Sequence, residues 1–230
     1  MEHQKHPLIS PVPGTERYID SFHFGPADAE RHLYVQGALH ADELPGMLVA
    51  WTLKQRLAEL EAQGQLACRV TLVPVANPVG LDQQLMDTPL GRYDFESLTN
   101  FNRRYVNVAD SIADGLETAL NDNIAHNRDL IRDRFEAALL AMTPTTTLES
   151  MRLTLQRLAC RADFVLDLHC DFDAVEHLYT TPAAWPRCSN RRATPPKRAS
   201  ALATASGAVP ARTATAAAEA AFRALWRPGT

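Results

Sequence analysis

The alternation of short apolar segments with longer segments of helical periodicity is the feature that most restricts the fold of this chain. Residues 32–38 (HLYVQGA) and 67–76 (ACRVTLVPVA) are short, apolar and partly β-branched, which is typical of buried strands. Between them, residues 45–60 carry apolar side chains at helical spacing, with Pro45 in the first turn and Gly64 beyond the end. Strands that alternate with helices predict an α/β sandwich around a parallel or mixed sheet.

The remainder of the first 186 residues continues this pattern. Two further helices and two further strands are predicted, at residues 124–142, 148–159, 162–168 and 176–181. Turn-forming residues at positions 77–80 open a segment without clear periodicity that extends to about residue 107. Segments of that length in compact domains usually carry function. Because 46% of the 230 residues are hydrophobic, the chain can bury one substantial core, and we expect one domain over residues 1–186.

The C-terminal segment, residues 187–230, differs sharply in composition. It contains eight Lys or Arg residues and one acid, Glu219, whereas residues 1–186 contain 15 basic and 26 acidic residues. Because it is rich in Ala, Arg, Pro and Thr, we predict that it buries too little apolar surface to fold and is disordered. A GC-rich gene read out of frame encodes the same composition. We therefore hypothesise that the natural sequence ends near Pro186, with a natural tail as the alternative; an unbroken reading frame on resequencing would exclude the frameshift.

Charge and terminal sequence restrict the partner and the compartment. A formal net charge of −4 provides no general reason to expect nucleic acid or an anionic membrane as a partner. The N-terminus lacks the apolar run of a signal peptide, and no segment approaches the roughly 20 apolar residues of a membrane span, so a cytoplasmic location is expected. Four cysteines form no CxxC pair and are expected to be reduced thiols: Cys68, Cys160, Cys170 and Cys188.

Two segments that directly follow predicted strands carry metal-binding side chains. His40 and Glu43 form an HxxE pair after the strand at residues 32–38, and His169 follows the strand at residues 162–168. Imidazole and carboxylate are both zinc ligands, and three protein ligands with one open position are typical of catalytic zinc. The ends of strands are also where sites gather in such sheets. The spacing therefore predicts a zinc site formed by these three residues.

Each of these motifs, taken alone, has a simpler explanation. An HxxE pair is usually a solvated turn, and a histidine at the end of a strand is more often a hydrogen-bonded core residue than a ligand. The metal site is preferred because both motifs follow apolar strands directly, with a polar loop between them. Asp167 or Asp171 would then accept the second ring N–H of a ligand histidine and fix its tautomer.

The segments GALHADELPG, NPVG, NFNRR and VLDLHCD, in this order, resemble the succinylglutamate desuccinylase/aspartoacylase family of zinc carboxypeptidase-like hydrolases. The resemblance covers roughly residues 30–182. It implies a three-layer α/β/α fold with a mixed central sheet, here incomplete at the C-terminus. It also implies one catalytic zinc per chain, held by His40, Glu43 and His169. The implied reaction is hydrolysis of an N-acyl amino acid or a similar small amide.

The same resemblance assigns substrate contacts to the long loop. Asn102 and Arg103 match the pair that holds a substrate carboxylate, and a guanidinium forms two parallel hydrogen bonds to such a group. Without the flanking metal motifs, NFNRR would be read as an exposed basic loop. Arg92 resembles the arginine that polarises the scissile carbonyl, and Arg104 is a competitor for either arginine role.

The general base and the identity of the substrate are not assigned. The family places its base on a strand well after the third ligand; neither Glu176 nor Glu219 matches that position. Three functions therefore stay open: an N-acyl amino acid deacylase, a metallocarboxypeptidase that uses the same carboxylate clamp, and a non-catalytic zinc-binding remnant. The deacylase is preferred, with a small N-acyl amino acid as its partner, and the oligomeric state is not predicted.

Overall fold

The computed structural model describes residues 1–171, 178–180 and 199–200. In chain order the strands are β1 (Glu2–Pro7), β2 (Tyr18–Phe24), β3 (His32–Gly37), β4 (Arg69–Val73), β5 (Gln84–Leu85), β6 (Thr88–Pro89), β7 (Phe164–Leu168), β8 (Leu178–Tyr179) and β9 (Ala199–Ser200). The helices are α1 (Leu44–Ala62), α2 (Pro78–Leu81), α3 (Ala109–Ala113), α4 (Leu116–Ala119), α5 (Ile124–Leu140) and α6 (Thr147–Ala159). In this part of the chain, no helix is long and apolar enough to cross a membrane.

The central sheet has five strands in the order β1-β2-β4-β3-β7. Strand β2 pairs antiparallel with β1 and with β4, whereas β3 pairs parallel with β4 and with β7. The sheet is therefore mixed, as predicted. Because β3 and β7 are parallel neighbours in register, with Gly37 opposite Leu168, the chain leaves both strands side by side at one edge of the sheet.

Helix α1 covers one face of this sheet. Strand residues Leu33, Val35 and Leu72 are buried together with Val49 and Leu57 of the helix. Burying a side chain of this size contributes about 1.5–3 kcal/mol relative to leaving it exposed. The apolar face of α1 is thus the main reason that the helix, predicted from its periodicity, lies on the strands that flank it in sequence.

Helix α6 covers the opposite face. Here Ile19, Tyr34 and Val73 of the sheet are buried against Met151 and Leu155 of the helix. Successive residues of a strand point to opposite faces, so the two clusters draw on interleaved positions of the same strands. The sheet lies between two helical layers, which confirms the predicted three-layer α/β/α architecture.

The predicted break around Pro144 separates two helices that pack on each other. Helix α5 ends at Leu140, and Leu139 is buried against Leu153 of α6. Helix α6 begins with a capping box in which the Thr146 hydroxyl accepts from the Glu149 backbone N–H and the Glu149 carboxylate accepts from the Thr146 backbone N–H. The local sequence therefore determines where α6 starts.

Strands β1 and β2 were not predicted. Strand β1 (EHQKHP) is polar and lies at the edge of the sheet, exposed or half-buried along its length, so it shows no apolar alternation. Strand β2 contributes Phe22 and Phe24 to the cluster beneath α1, whereas its other face combines Ile19 with the hydrogen-bonded pair Ser21 and His23, so polar residues interrupt its apolar pattern. The positions 77–80, predicted as a turn, begin the short helix α2, where the Asn77 side chain accepts a hydrogen bond of 2.7 Å from the Gly80 N–H.

Several sequence predictions fall on residues that the structure does not describe. Within residues 187–230 only β9 is described, and it pairs with β8. The domain boundary at residue 186 and the disorder of the segment beyond it therefore stay predictions. Glu176, His177, Cys188 and Glu219 lie outside the described residues, whereas Cys68, Cys160 and Cys170 are free thiols.

Candidate metal centre

The C-terminal edge of β3 and β7 carries the three predicted ligands. After β3, Ala38 adopts a left-handed backbone conformation with φ of 58°, which turns the chain sharply before His40. His169 directly follows β7. Because the two strands are adjacent and parallel, the two histidines emerge next to each other, with ring centroids 4.8 Å apart.

Glu43 reaches the histidines from the N-terminus of α1. Its side chain does not cap the helix, although the helix dipole favours a carboxylate at this end. The helix comes close to the sheet because residue 46 is glycine: a Cβ atom there would lie 2.8 Å from the carbonyl oxygen of Leu168. This close approach brings the Glu43 carboxylate to the residue that follows Leu168, which is His169.

The three side chains meet in a buried cluster. The Nδ1 atom of His40 lies 3.0 Å from Oε1 of Glu43, and the Nδ1 atom of His169 lies 2.9 Å from Oε2. One ligand atom from each residue lies within 4.8 Å of the others, and each residue is only 6% exposed. Ligands in a tetrahedral zinc site are separated by about 3.3 Å at bond lengths of about 2.0–2.1 Å. The cluster therefore has the size of a metal site.

Each histidine forms a hydrogen bond through Nε2, the ring nitrogen that faces away from Glu43. The Nε2–H of His40 donates to Oδ1 of Asn100 over 3.0 Å, and the Nε2–H of His169 donates to Oδ2 of Asp167 over 2.8 Å. The Asn100 oxygen is identified by a second bond, since it also accepts from the backbone N–H of Asn102. Both acceptors place the proton on Nε2, so that each Nδ1 lone pair is directed at the centre. Asp167 thus occupies the outer position that the sequence suggested.

The electrostatics of the cluster favour a positive charge at its centre. Burial opposes ionisation of Glu43, but hydrogen bonds from His169 and His40 outweigh it and lower the pKa of Glu43 to about 2. Burial also disfavours a charged His169, yet Asp167 and Glu43 raise the pKa of that imidazole to about 10. The same two carboxylates that hold a proton on His169 would favour a divalent cation in its place, and metal binding would release that proton. Two nitrogens and one carboxylate oxygen fit zinc as a donor set.

Arg92 lies beside the candidate ligands. Its Nη2 atom donates to Oε1 of Glu43 over 2.7 Å and lies 4.0 Å from Oδ1 of Asp171, with 39% of the side chain exposed. The loop that carries Arg92 is tied to the ligand segment, because the Gly91 carbonyl accepts from the Ala41 N–H over 2.9 Å. The structure therefore places Arg92, which is partly exposed, next to a candidate ligand.

Asn102, the first residue of the predicted carboxylate clamp, lies close to His169. The Asn102 amide nitrogen is 3.4 Å from Nε2 of His169, and the neighbouring Arg103 is exposed, with Nη1 donating to the Asn102 carbonyl over 2.7 Å. Arg104 is also exposed and has a left-handed backbone conformation. The structure thus places the Asn102 amide beside His169, and both arginines are exposed in the residues that follow it.

Two residues to which the sequence analysis assigned no role at the site contact its ligands. The backbone N–H of Cys170 donates to Oε2 of Glu43 over 2.9 Å, while burial, together with Glu43 and Asp171, raises the pKa of the Cys170 thiol to about 11, so it is a poor nucleophile. Asn100, the partner of His40, was missed. Its only signal is its position at the start of NFNRR, two residues before Asn102.

Comparison with known proteins decides the family. The protein-family model described as the succinylglutamate desuccinylase/aspartoacylase catalytic domain matches residues 29–222 of this sequence. The chain belongs to the succinylglutamate desuccinylase/aspartoacylase family. This match confirms the resemblance found from the sequence motifs and runs beyond residue 182 into the C-terminal segment. The desuccinylase/aspartoacylase family consists of zinc hydrolases, and His40, Glu43 and His169 form the His-Glu-His cluster typical of its metal site.

Solved structures of this desuccinylase/aspartoacylase family share the fold. A family protein from Shewanella amazonensis is 27% identical with a TM-score of 0.68, over 82% of this chain and 52% of its own. A second from Shewanella frigidimarina is 25% identical with a TM-score of 0.67, over 79% and 49% respectively. The chain therefore spans about half the length of these two proteins. No curated protein matches it.

A more distant structure matches at the level of the fold alone. It is the product-bound ectoine utilization protein of Ruegeria pomeroyi, which is 15% identical with a TM-score of 0.51, over 96% of this chain and 64% of its own. Together with the mixed sheet between two helical layers, these matches establish the zinc carboxypeptidase-like fold that the sequence motifs predicted.

Proposed function

We propose that this chain binds one zinc ion through His40, Glu43 and His169 and hydrolyses the amide bond of a small N-acyl amino acid. The observation that carries the proposal is the orientation of the two imidazoles. Each holds its Nε2–H on an outer acceptor and directs Nδ1 at the Glu43 carboxylate, with all three side chains buried. A purely structural histidine pair has no need of two matched outer partners.

The metal would supply a defined part of the chemistry. When bound, zinc polarises a carbonyl oxygen and lowers the pKa of water towards about 7. The chain's own residues would do the rest. Arg92 would stabilise the negative charge that develops on the scissile carbonyl oxygen, because its guanidinium already lies at hydrogen-bond distance from a metal ligand.

Binding of the substrate carboxylate is assigned to Asn102 and Arg103. The Asn102 amide lies beside His169, and the exposed guanidinium of Arg103 follows it directly. A carboxylate held there would place the adjacent amide bond next to the metal centre, which is the arrangement that an N-acyl amino acid requires. No described residue is assigned as the general base.

Two alternatives share the same site. A metallocarboxypeptidase would use the same clamp for the terminal carboxylate of a peptide, and a non-catalytic remnant would bind zinc without turnover. The chain covers only about half of the length of two matched family structures. Activity, substrate and partners of a whole protein are therefore proposals for this chain.

The proposal is tested by metal analysis and hydrolysis assays on the same purified sample. We expect one zinc per chain and release of free amino acid from N-acetyl- or N-succinyl-amino acids, with little cleavage of short peptides. The matched variants are Arg103→Lys and Arg128→Lys. Arg103→Lys keeps the charge but loses the two parallel hydrogen bonds that a guanidinium forms to a carboxylate, so it should raise KM roughly tenfold. Arg128→Lys alters an exposed arginine on α5 and should leave KM and kcat unchanged. Peptide cleavage alone would favour the carboxypeptidase, and zinc without turnover the remnant.

A further inference from the structure

Helix α6 contains a buried arginine that the proposed mechanism does not use. Arg152 is 6% exposed, and its Nη2 atom donates to the carbonyl oxygen of Asn100 over 2.9 Å, with Nε 3.4 Å from the carbonyl oxygen of Phe101. Among the described residues it forms no salt bridge. Burial lowers the pKa of Arg152, which reflects the cost of keeping a charge in this position. The charges of Asp94 and Glu149 act against this cost, and the two backbone carbonyls are the acceptors that Arg152 contacts directly.

Packing alone does not account for a guanidinium at this position. The neighbouring positions of α6, Leu148, Met151 and Leu155, are buried in the apolar cluster on this face of the sheet. An apolar residue would join that cluster without the desolvation cost of a charge. What Arg152 adds is two directed donors to consecutive peptide carbonyls of the segment that contains NFNRR.

Asn100 connects this arginine to the metal centre and to the substrate clamp. While its carbonyl accepts from Arg152, its side-chain oxygen accepts from His40 over 3.0 Å and from the Asn102 N–H over 2.8 Å. The Arg103 N–H donates to the Asn100 carbonyl over 3.1 Å. A displacement of Asn100 would therefore shift both the His40 ring and the backbone of Asn102 and Arg103.

Phe101, the second partner of Arg152, connects the same segment to Arg92. Its backbone N–H donates to the Arg92 carbonyl over 3.1 Å, and its side chain is fully buried. Helix α6 thus holds residues 100–103 in place. The position of these residues in turn sets the positions of a ligand histidine, of the carboxylate clamp and of Arg92.

We propose that Arg152 is a positioning residue: by holding the carbonyls of Asn100 and Phe101, it fixes the segment that orients His40 and presents Asn102 and Arg103 to a substrate carboxylate. Its effect on the segment is independent of catalysis. Its effect on carboxylate binding rests on the proposed function.

The chain provides a closely matched control for this proposal. Arg157 lies on the same helix, and its hydrogen bonds also go to backbone carbonyls, those of Leu139, Met142 and Leu140 at 2.8, 2.9 and 3.5 Å. Its partners belong to the end of α5 and not to the metal centre. Arg152→Met, Arg152→Lys and Arg157→Met therefore separate the loss of a buried arginine from the loss of this particular contact.

The first measurement is amide hydrogen exchange in the metal-free protein, labelled from milliseconds to seconds. In Arg152→Met we expect exchange at the Asn102 and Arg103 amides to rise about tenfold, because both donate to Asn100. Arg157→Met should leave these amides unchanged and accelerate exchange at the end of α5. Arg152→Lys retains the charge, but its single ammonium group does not reproduce the two directed donors of the guanidinium. Its exchange rates at these amides should therefore lie between those of wild type and Arg152→Met. If Arg152→Met does not fold, Arg152→Lys decides by the same amides.

The second measurement is Co²⁺ titration followed by the d–d absorption band, with KM and kcat for an N-acyl amino acid on the same samples. Arg152→Met should weaken Co²⁺ binding about tenfold and raise KM more than it lowers kcat, whereas Arg157→Met should stay within about twofold of wild type. Unchanged exchange at Asn102 and Arg103 in Arg152→Met would overturn the proposal. A wild-type chain without metal or turnover would instead refute the proposed function, and the exchange comparison would still decide the role of Arg152.

Discussion

Replacing His169 by alanine is expected to abolish stoichiometric zinc binding and, with it, hydrolysis of N-acyl amino acids. His169 is one of two imidazole donors in the cluster, and His40 and Glu43 alone provide too few ligands for a catalytic zinc. The expected loss of zinc affinity exceeds the 10- to 100-fold that removal of an outer partner typically causes. Equilibrium dialysis followed by metal analysis would measure it.

The outer partner of the same histidine provides a graded comparison. Asp167→Asn keeps the shape of the side chain and an oxygen for the Nε2–H but removes the negative charge, so we expect zinc affinity to fall about 10- to 100-fold without vanishing. His126→Ala, which removes an exposed histidine at the start of α5, is the control and should bind zinc as wild type does. Thermal unfolding of all three variants would show whether they fold. Full zinc occupancy in folded His169→Ala protein would contradict the assignment.

Gly91→Ala is expected to disable the metal centre although glycine 91 contributes no side chain to it. A Cβ atom at this position would lie 2.6 Å from the carbonyl carbon of Ala41, a backbone atom in the segment between His40 and Glu43. That segment must move, and the bond from the Ala41 N–H to the Gly91 carbonyl would be strained with it. We expect a loss of about 1–3 kcal/mol in the free energy of unfolding, typical of overpacking, and a fall in zinc affinity of at least tenfold.

The Gly64→Ala variant separates the loss of stability from the loss of zinc affinity. Gly64 follows α1 in a left-handed conformation with φ of 66°, and a Cβ atom there would meet nothing within 4 Å. The substitution should cost about 1–2 kcal/mol through backbone strain alone and leave zinc affinity unchanged. Urea unfolding and zinc titration of both variants would test this. Equal zinc affinity of the Gly91→Ala and Gly64→Ala proteins would mean that the segment between His40 and Glu43 can shift without loss of the metal site.

The sequence predicted the parts of this protein that depend on local pattern. Strand β3, helix α1 and strand β7 follow from apolar periodicity and turn residues, and the ends of β3 and β7 identify His40, Glu43 and His169. The motifs also identified the family, which the family match then confirmed.

Strands β1 and β2 could not be predicted in the same way. A polar edge strand such as β1 gains its stability from pairing with its neighbour and not from burial, so it has no apolar alternation to detect. Strand β2 mixes apolar and polar residues, because Ser21 and His23 hydrogen-bond to each other and His23 to Thr71 of β4, so the strand shows no clear apolar alternation. Both features depend on contacts with neighbouring strands.

The supporting structure of the site was decided by tertiary packing. The HxxE and DLH motifs are local, because the spacing of a few residues determines which side chains leave a strand end together. Asn100 behind His40, Gly91 against Ala41, and Arg152 behind Asn100 are contacts between segments 50 or more residues apart. No spacing in the sequence encodes them, since they exist only after helix α6 and the long loop have packed on the same face of the sheet. The sequence alone therefore identified the candidate ligands, and the tertiary structure determined how they are held.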